Sequence, residues 1–195
     1  MSATEVATPH GPARVHLRPA DEPRGLLVLG HGAGGGVQAR DIVAAAGAAL
    51  AGGFSVALVE QPYRVAGRKS PAPAGQLDTA WTAVVEHLQP EGVLITGGRS
   101  SGARVACRTA AATGAAGVLC LAFPVHPPGR PEKSRLDELD AVTVPVLIVQ
   151  GTSDPFGMPP EARGRTLVTV SGNHSLTGDI GTLRGAVGDW LRLRV

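Results

Sequence analysis

A chain of 195 residues with 43% hydrophobic and 17% charged side chains is long enough to bury one full core and too apolar to be disordered. A formal charge of +2 argues against a phosphate-tracking surface, and 3% aromatic content argues against a stacking platform for single-stranded nucleic acid. No apolar run approaches the roughly 20 residues of a membrane span, and the first 25 residues hold no apolar signal core. The expectation is a cytoplasmic protein with neither a membrane nor a nucleic-acid partner. Cys107 and Cys120 lie in apolar segments and read as buried free thiols.

In chain order, residues 1–12 read as a flexible lead-in to a single domain spanning 1–195. "ARVHLRP" alternates as a half-exposed strand does. Six nearly continuous Val/Ile/Leu runs then follow: "GLLVLG", "FSVALVEQP", "GVLITGG", "GVLCLAFP", "VPVLIVQG" and "TLVTVSG". Runs of that kind fit strands buried on both faces. Between and after them, "DIVAAAGAALAG", "QLDTAWTAVVEHL", "SGARVACRTAAATG" and "DIGTLRGAVGDWLRLRV" carry apolar residues at helical spacing, with Asp41 and Asp179 as helix-start residues. Strand–helix alternation predicts a mostly parallel, doubly wound sheet of about seven strands with helices on both faces.

Two long loops, "YRVAGRKSPAPAG" and "PVHPPGRPEKSR", follow strands and so belong at the carboxyl edge, where open α/β sheets bind ligands. The stretch between "LAFP" and "VPVLIV" is too short for a lid domain.

The loop after the first buried strand, "GHGAGGG", supports two readings. Gly30, Gly32 and Gly35 fit the dinucleotide fingerprint, with Glu60 as a ribose ligand somewhat beyond the usual spacing. The same residues make a glycine-rich loop whose bare amides can hold an oxyanion. A more distant segment decides between them. In "VLITGGRSSGARVA" a buried strand runs into Gly98-Arg99-Ser100-Ser101-Gly102 and then a helix, which is the G-x-S-x-G nucleophile elbow in the context it requires.

A serine hydroxyl needs a base, and the base needs an orienting acid. Of six histidines only His126 and His174 follow Ser100. His174 comes just after the last strand and Asp154 just after the preceding one, in the order Ser, Asp, His. Ser100 is therefore the expected nucleophile, His174 the base and Asp154 the acid. The amides of Ser101, Ala33 and Gly34 become the oxyanion-hole candidates. His31, Tyr63, Arg64, Arg99, His126 and Arg130 are candidate substrate-contacting residues. With Arg68, Lys69, Lys133 and Arg135, the basic side chains around this edge point to a small anionic substrate. No cofactor or metal is expected.

The set "LGHGAGGG", "QPYRVAGRK", "GGRSSGARVA", "FPVHPPGRPEKSR", "VPVLIVQGTSDPFG" and "SGNHSL" resembles the α/β-hydrolase-like family that includes subunit 3 of the NSL histone-acetyltransferase complex and a testis-expressed relative. It is similar, more distantly, to dienelactone hydrolases. The resemblance runs from about Arg24 to the C-terminus and implies an α/β-hydrolase fold with Ser100, Asp154 and His174 in the roles above. It departs where Ser101-Gly102-Ala103 stands in place of the Met-Gly-Gly common in the family. Three functions follow as expectations: a serine hydrolase of an ester, thioester or lactone, a non-catalytic interaction module on the same fold, and a dinucleotide-binding enzyme.

Overall fold

A computed structural model describes residues 2–194. Its elements are β1 (Ser2–Val6), β2 (Ala13–Arg18), β3 (Gly25–Gly30), α1 (Arg40–Ala51), β4 (Phe54–Glu60), α2 (Pro62–Val65), α3 (Ala74–Leu88), β5 (Val93–Arg99), α4 (Ser101–Thr113), β6 (Gly117–Leu121), α5 (Leu136–Asp140), β7 (Val146–Gly151), β8 (Arg165–Val170) and α6 (Ile180–Arg192). The strands form one sheet in the order β1-β2-β4-β3-β5-β6-β7-β8. All neighbours from β4 to β8 run parallel, while β1 and β2 join antiparallel at one edge.

The continuous apolar runs are explained by cover on both faces. Along β3, Leu27 and Leu29 point into a cluster with Ile42 of α1 and Trp190 of α6. Leu26 and Val28 point the other way, toward Trp81 and Val84 of α3. The strand period of two thus assigns alternate side chains to opposite layers, and every residue of β3 is buried. Each such leucine contributes about 2 kcal/mol by leaving water.

β3 is also where the chain changes direction across the sheet. It is followed in sequence by β4 on one side and, after α3, by β5 on the other, with Gly30 level with Gly98. Open α/β sheets bind ligands at such a switch point, outside the carboxyl ends of the strands.

Three expectations need correction. The expected flexible lead-in holds a strand instead: Ser2–Val6 pairs with β2 from Ser2↔Leu17 to Val6↔Ala13, making eight strands among the described residues. Main-chain bonds and the buried Val6 hold this edge, and an apolar count cannot register a polar edge strand. β8 is not covered on both faces, because it is the opposite edge and only Val170 is buried along it. Asp41 does not cap α1; it lies within the first turn, at 1% exposure. Of the two long loops, the first opens with the short helix α2 and the second ends where α5 begins.

Asp179 does cap α6, accepting the Thr182 amide at 3.0 Å. Cys107 and Cys120 are buried and free, with their sulfurs 3.6 Å apart. The segment between β6 and β7 carries no element larger than the single short helix α5, so no lid crosses the sheet edge. Among the described residues no helix is long and apolar enough to cross a membrane.

Candidate active site

Between β5 and α4 the backbone turns on one residue. Ser100 has φ 53° and ψ −108°, outside the regions comfortable for a side chain, at a cost of about 1–3 kcal/mol. Close packing enforces the turn. A Cβ on Gly98 would stand 2.6 Å from the Gly30 carbonyl oxygen and 2.8 Å from the Gly102 carbonyl carbon, and a Cβ on Gly102 would stand 2.6 Å from that same oxygen. Glycine at both places lets the elbow press against the end of β3. The Ser100 amide donates to the Leu121 carbonyl at 2.9 Å, tying the turn to β6 as well.

The loops after β7 and β8 bring Asp154 and His174 to the same edge. Ser153 donates to the Gly172 carbonyl at 2.9 Å, joining the two loops, and Leu176, fully buried, plugs the second loop into the core. His174 Nδ1 lies 2.8 Å from Asp154 Oδ2, and His174 Nε2 lies 2.8 Å from Ser100 Oγ. A carboxylate accepts only, so neutral His174 donates Nδ1–H to Asp154 and leaves Nε2 to accept the serine hydroxyl. The three expected residues, distant in sequence, form one hydrogen-bonded chain.

Two residues that sequence reasoning missed complete this half of the site. Gln150, the last residue but one of β7, is fully buried and its amide donates to Asp154 Oδ2 at 2.9 Å, to the Gly157 carbonyl at 2.8 Å and to the Phe123 carbonyl at 3.1 Å. A polar residue ending an otherwise apolar run was the signal for it. Phe156 donates its amide to Asp154 Oδ1 at 2.9 Å and stacks its ring on His174, centroids 4.1 Å apart at 27°. Nothing in its sequence context distinguishes Phe156 from an ordinary loop aromatic.

On the other side, the loop after β3 turns over Gly32–Gly35, with the Gly35 amide on the Gly32 carbonyl at 3.1 Å. A Cβ on Gly32 would stand 3.6 Å from Ser100 Cβ, so this loop lies against the nucleophile, while Gly34 faces open space. The Ser101 amide, at the start of α4, is among the donors that a helix leaves without internal partners.

His31 and Tyr63 hold the glycine loop and are not placed to contact substrate. His31 is 3% exposed, donates Nδ1–H to the Gly32 carbonyl at 2.8 Å and accepts the Gln61 amide on Nε2 at 3.1 Å. Burial pushes its pKa below the usual histidine range, in keeping with the neutral ring that these two bonds require. The Tyr63 hydroxyl donates to the Ala33 carbonyl at 2.8 Å.

Among the cations the outcome is mixed. Arg99 is engaged with Asp41, Nε to Oδ2 2.8 Å, and with the His174 carbonyl. Arg135 stands beside Arg104 and Glu138, and burial together with Arg104 lowers its pKa. Arg64 donates to the Arg68 carbonyl at 3.3 Å. Arg68, Lys69, Arg130 and Lys133 stay exposed on the two loops. His126 braces the acid loop: its ring bonds the Pro127 carbonyl at 2.9 Å, its amide donates to Phe156, and its Nε2 lies 2.7 Å from where a Gly157 Cβ would be.

The dinucleotide reading fails on local structure. The fingerprint needs a helix opening at its glycines, whereas α1 begins only at Arg40. Glu60 is already occupied, 3.0 Å from His16 Nε2 and 3.7 Å from Arg14 Nη1. Among the described residues no group of three or more His, Cys, Asp or Glu side chains is placed to hold a metal ion.

A groove of about 570 Å³ between α1 and α6 has none of these site residues in its lining. Ser100 instead opens on the lidless edge.

No curated protein sequence matches the chain. Solved structures of similar fold include Est1E from Butyrivibrio proteoclasticus, at 18% identity and TM-score 0.78 over 100% of this chain and 99% of that one. A serine hydrolase without a lid from Xanthomonas campestris matches at 22% identity and TM-score 0.79, covering 98% of this chain and 94% of its own. Dienelactone hydrolase from Anabaena variabilis matches at 15% identity and TM-score 0.74, with 97% and 95% covered. The family model described as "Alpha/beta hydrolase domain" matches residues 23–179, the stretch that carries the elbow, Asp154 and His174. With most of its length matched, the chain belongs to the alpha/beta hydrolase family.

Proposed function

We propose that the protein is a serine hydrolase that cleaves an ester, thioester or lactone through an acyl-enzyme. The observation that carries this reading is the unbroken chain from Asp154 Oδ2 through His174 to Ser100 Oγ, each link 2.8 Å. As Ser100 Oγ attacks the acyl carbon, His174 Nε2 takes its proton, and Asp154 stabilises the imidazolium that forms. The amides of Ser101 and Ala33, with Gly34 beside it, receive the negative charge that develops on the carbonyl oxygen. Collapse expels the alcohol or thiol, which takes its proton from His174. Water, deprotonated by the same ring, then attacks the acyl-enzyme, and the acid product leaves with Ser100 restored.

The substrate is a small soluble molecule with a carboxylate or phosphate group, met in the cytoplasm. Arg68, Lys69, Arg130 and Lys133, exposed on the two loops of the carboxyl edge, support the anionic part of this reading. The exposed site supports a small substrate reached without a lid. Within the family we place the chain beside the members related to subunit 3 of the NSL complex, on the motif set alone. A non-catalytic module on this fold would have no use for the strained Ser100 backbone.

A fluorophosphonate probe tests the reading. The wild type is expected to label on one serine and Ser100→Ala not at all. Equal labelling of the two, or none of the wild type, overturns it. Paired neutral and carboxylated esters test the substrate class, with the anion preferred and the preference shrinking as salt rises.

A further inference from the structure

One guanidinium touches two of the loops on which the proposed chemistry depends. Arg99 immediately precedes Ser100 at the end of β5. Its Nη2 donates to the His174 carbonyl at 3.1 Å. Its Nη1 lies 2.9 Å from where a Cβ on Gly32 would stand, so it lies against the glycine loop as well. Its Nε faces Asp41 Oδ2 at 2.8 Å, a close ionic contact whose angles are not those of a hydrogen bond. The other Asp41 oxygen accepts the Ile42 amide at 2.9 Å.

The Asp41 side chain is 1% exposed and that of Arg99 20% exposed. Withdrawing such a pair from water is costly, and an apolar pair of similar volume is often as stable. Stability therefore does not account for the pair; geometry does. A guanidinium is planar with its donors in fixed directions, so a buried carboxylate held against Nε limits where the two Nη groups point. Asp41 is anchored in the first turn of α1, outside both loops, and supplies that reference.

We propose that Arg99, oriented by Asp41, is a positioning residue that sets the His174 loop and the Gly32–Gly35 loop in register with Ser100, and that it does not bind substrate. The proposal rests on the serine-hydrolase reading and adds a residue pair to it. His174 reaches Ser100 through its side chain and Arg99 through its backbone, so losing the second contact frees the first to drift. A drift of about 1 Å in such a site costs about 10²-fold in rate.

Two variants of the full chain test it. Arg99→Lys keeps a cation for Asp41, but one ammonium on a flexible stem cannot hold the carboxylate, the His174 carbonyl and the Gly32 loop together. Asp41→Asn combined with Arg99→Met removes both charges, so neither is stranded. Each is compared with the wild type by the fraction of Ser100 labelled at saturation with a fluorophosphonate, by the labelling rate, and by kcat and KM on p-nitrophenyl acetate. The expected result is an unchanged labelled fraction, a labelling rate and kcat lower by about 10- to 100-fold, and KM within about twofold of wild type.

Wild-type rates in both variants overturn the proposal. So does a loss that appears wholly as a smaller labelled fraction reacting at the wild-type rate, which would make the pair merely structural. A raised KM with unchanged kcat would make Arg99 a substrate-binding residue instead. An unlabelled wild type overturns the hydrolase reading itself, and the role of Arg99 with it.

Discussion

The two halves of the site are held in different ways. The acid–base half, after β7 and β8, is fixed by buried groups: Gln150 at the end of its strand, Leu176 in the core, and main-chain bonds between the loops. The oxyanion half, after β3, is one histidine followed by a run of glycines and one alanine. Its shape is held from within by the His31 ring on the Gly32 carbonyl, itself fixed by the Gln61 amide, and from outside by the Tyr63 hydroxyl on the Ala33 carbonyl. An acid–base pair must keep two side chains within hydrogen-bond reach through a proton transfer, whereas an oxyanion site must leave backbone amides bare. Burial serves the first need, and side-chain struts on the loop's carbonyls serve the second.

If that contrast is right, damage to the buried half is larger. Gln150→Glu sharpens it most, since it places a second carboxylate where an amide now donates to Asp154 at 2.9 Å. Two carboxylates so close cannot both ionise, so a proton enters the pair and competes with His174 for Asp154. The expected outcome is a fall in kcat of about 10²-fold, with a lower melting temperature, read by steady-state kinetics and thermal denaturation. A variant with wild-type kcat would show that Asp154 is held without Gln150.

Much of this difference could be read from sequence, and the rest could not for physical reasons. The layered sheet was legible because burial on both faces leaves continuous Val/Ile/Leu runs, as in "GLLVLG". Ser100, Asp154 and His174 were legible because parallel strands bring their carboxyl ends to one edge, so order along the chain becomes proximity. β1 was hidden because a polar edge strand is held mainly by main-chain bonds. Arg99 read as a free cation because its partner, Asp41, lies on another element and read as a helix-start residue. His31 and Tyr63 were noticed, but what each touches depends on how the loop after β3 and the start of α2 fold together. Sequence order carries no such distance.

The strut at Tyr63 offers a smaller effect. Tyr63→Phe removes the hydroxyl bond to the Ala33 carbonyl and little else, since the ring stays packed beside His31 with centroids 5.8 Å apart. One neutral hydrogen bond is worth about 1 kcal/mol, and its loss leaves the carbonyl partly unsatisfied. A fall in kcat of about fivefold with little change in KM is expected from ester kinetics. A fall as large as that of Gln150→Glu would erase the distinction between the halves.

The smallest effect comes from His31 and appears in stability. Burial lowers its pKa in the folded chain, so below the ordinary value of 6.5 the unfolded chain binds a proton that the folded chain resists. Its stabilising contribution is therefore complete above pH 6.5 and is lost as the pH falls from there through the lowered folded value. The sign is the same from the structure, because a protonated ring could no longer accept the Gln61 amide on Nε2. Urea midpoints for the wild type and for His31→Gln at pH 7.5, 6.0 and 5.0 isolate this contribution, because the other titrating groups are common to both. The gap between the two proteins is expected to narrow as the pH falls; a gap that stays constant would mean that the buried ring is not held neutral by its place under the glycine loop.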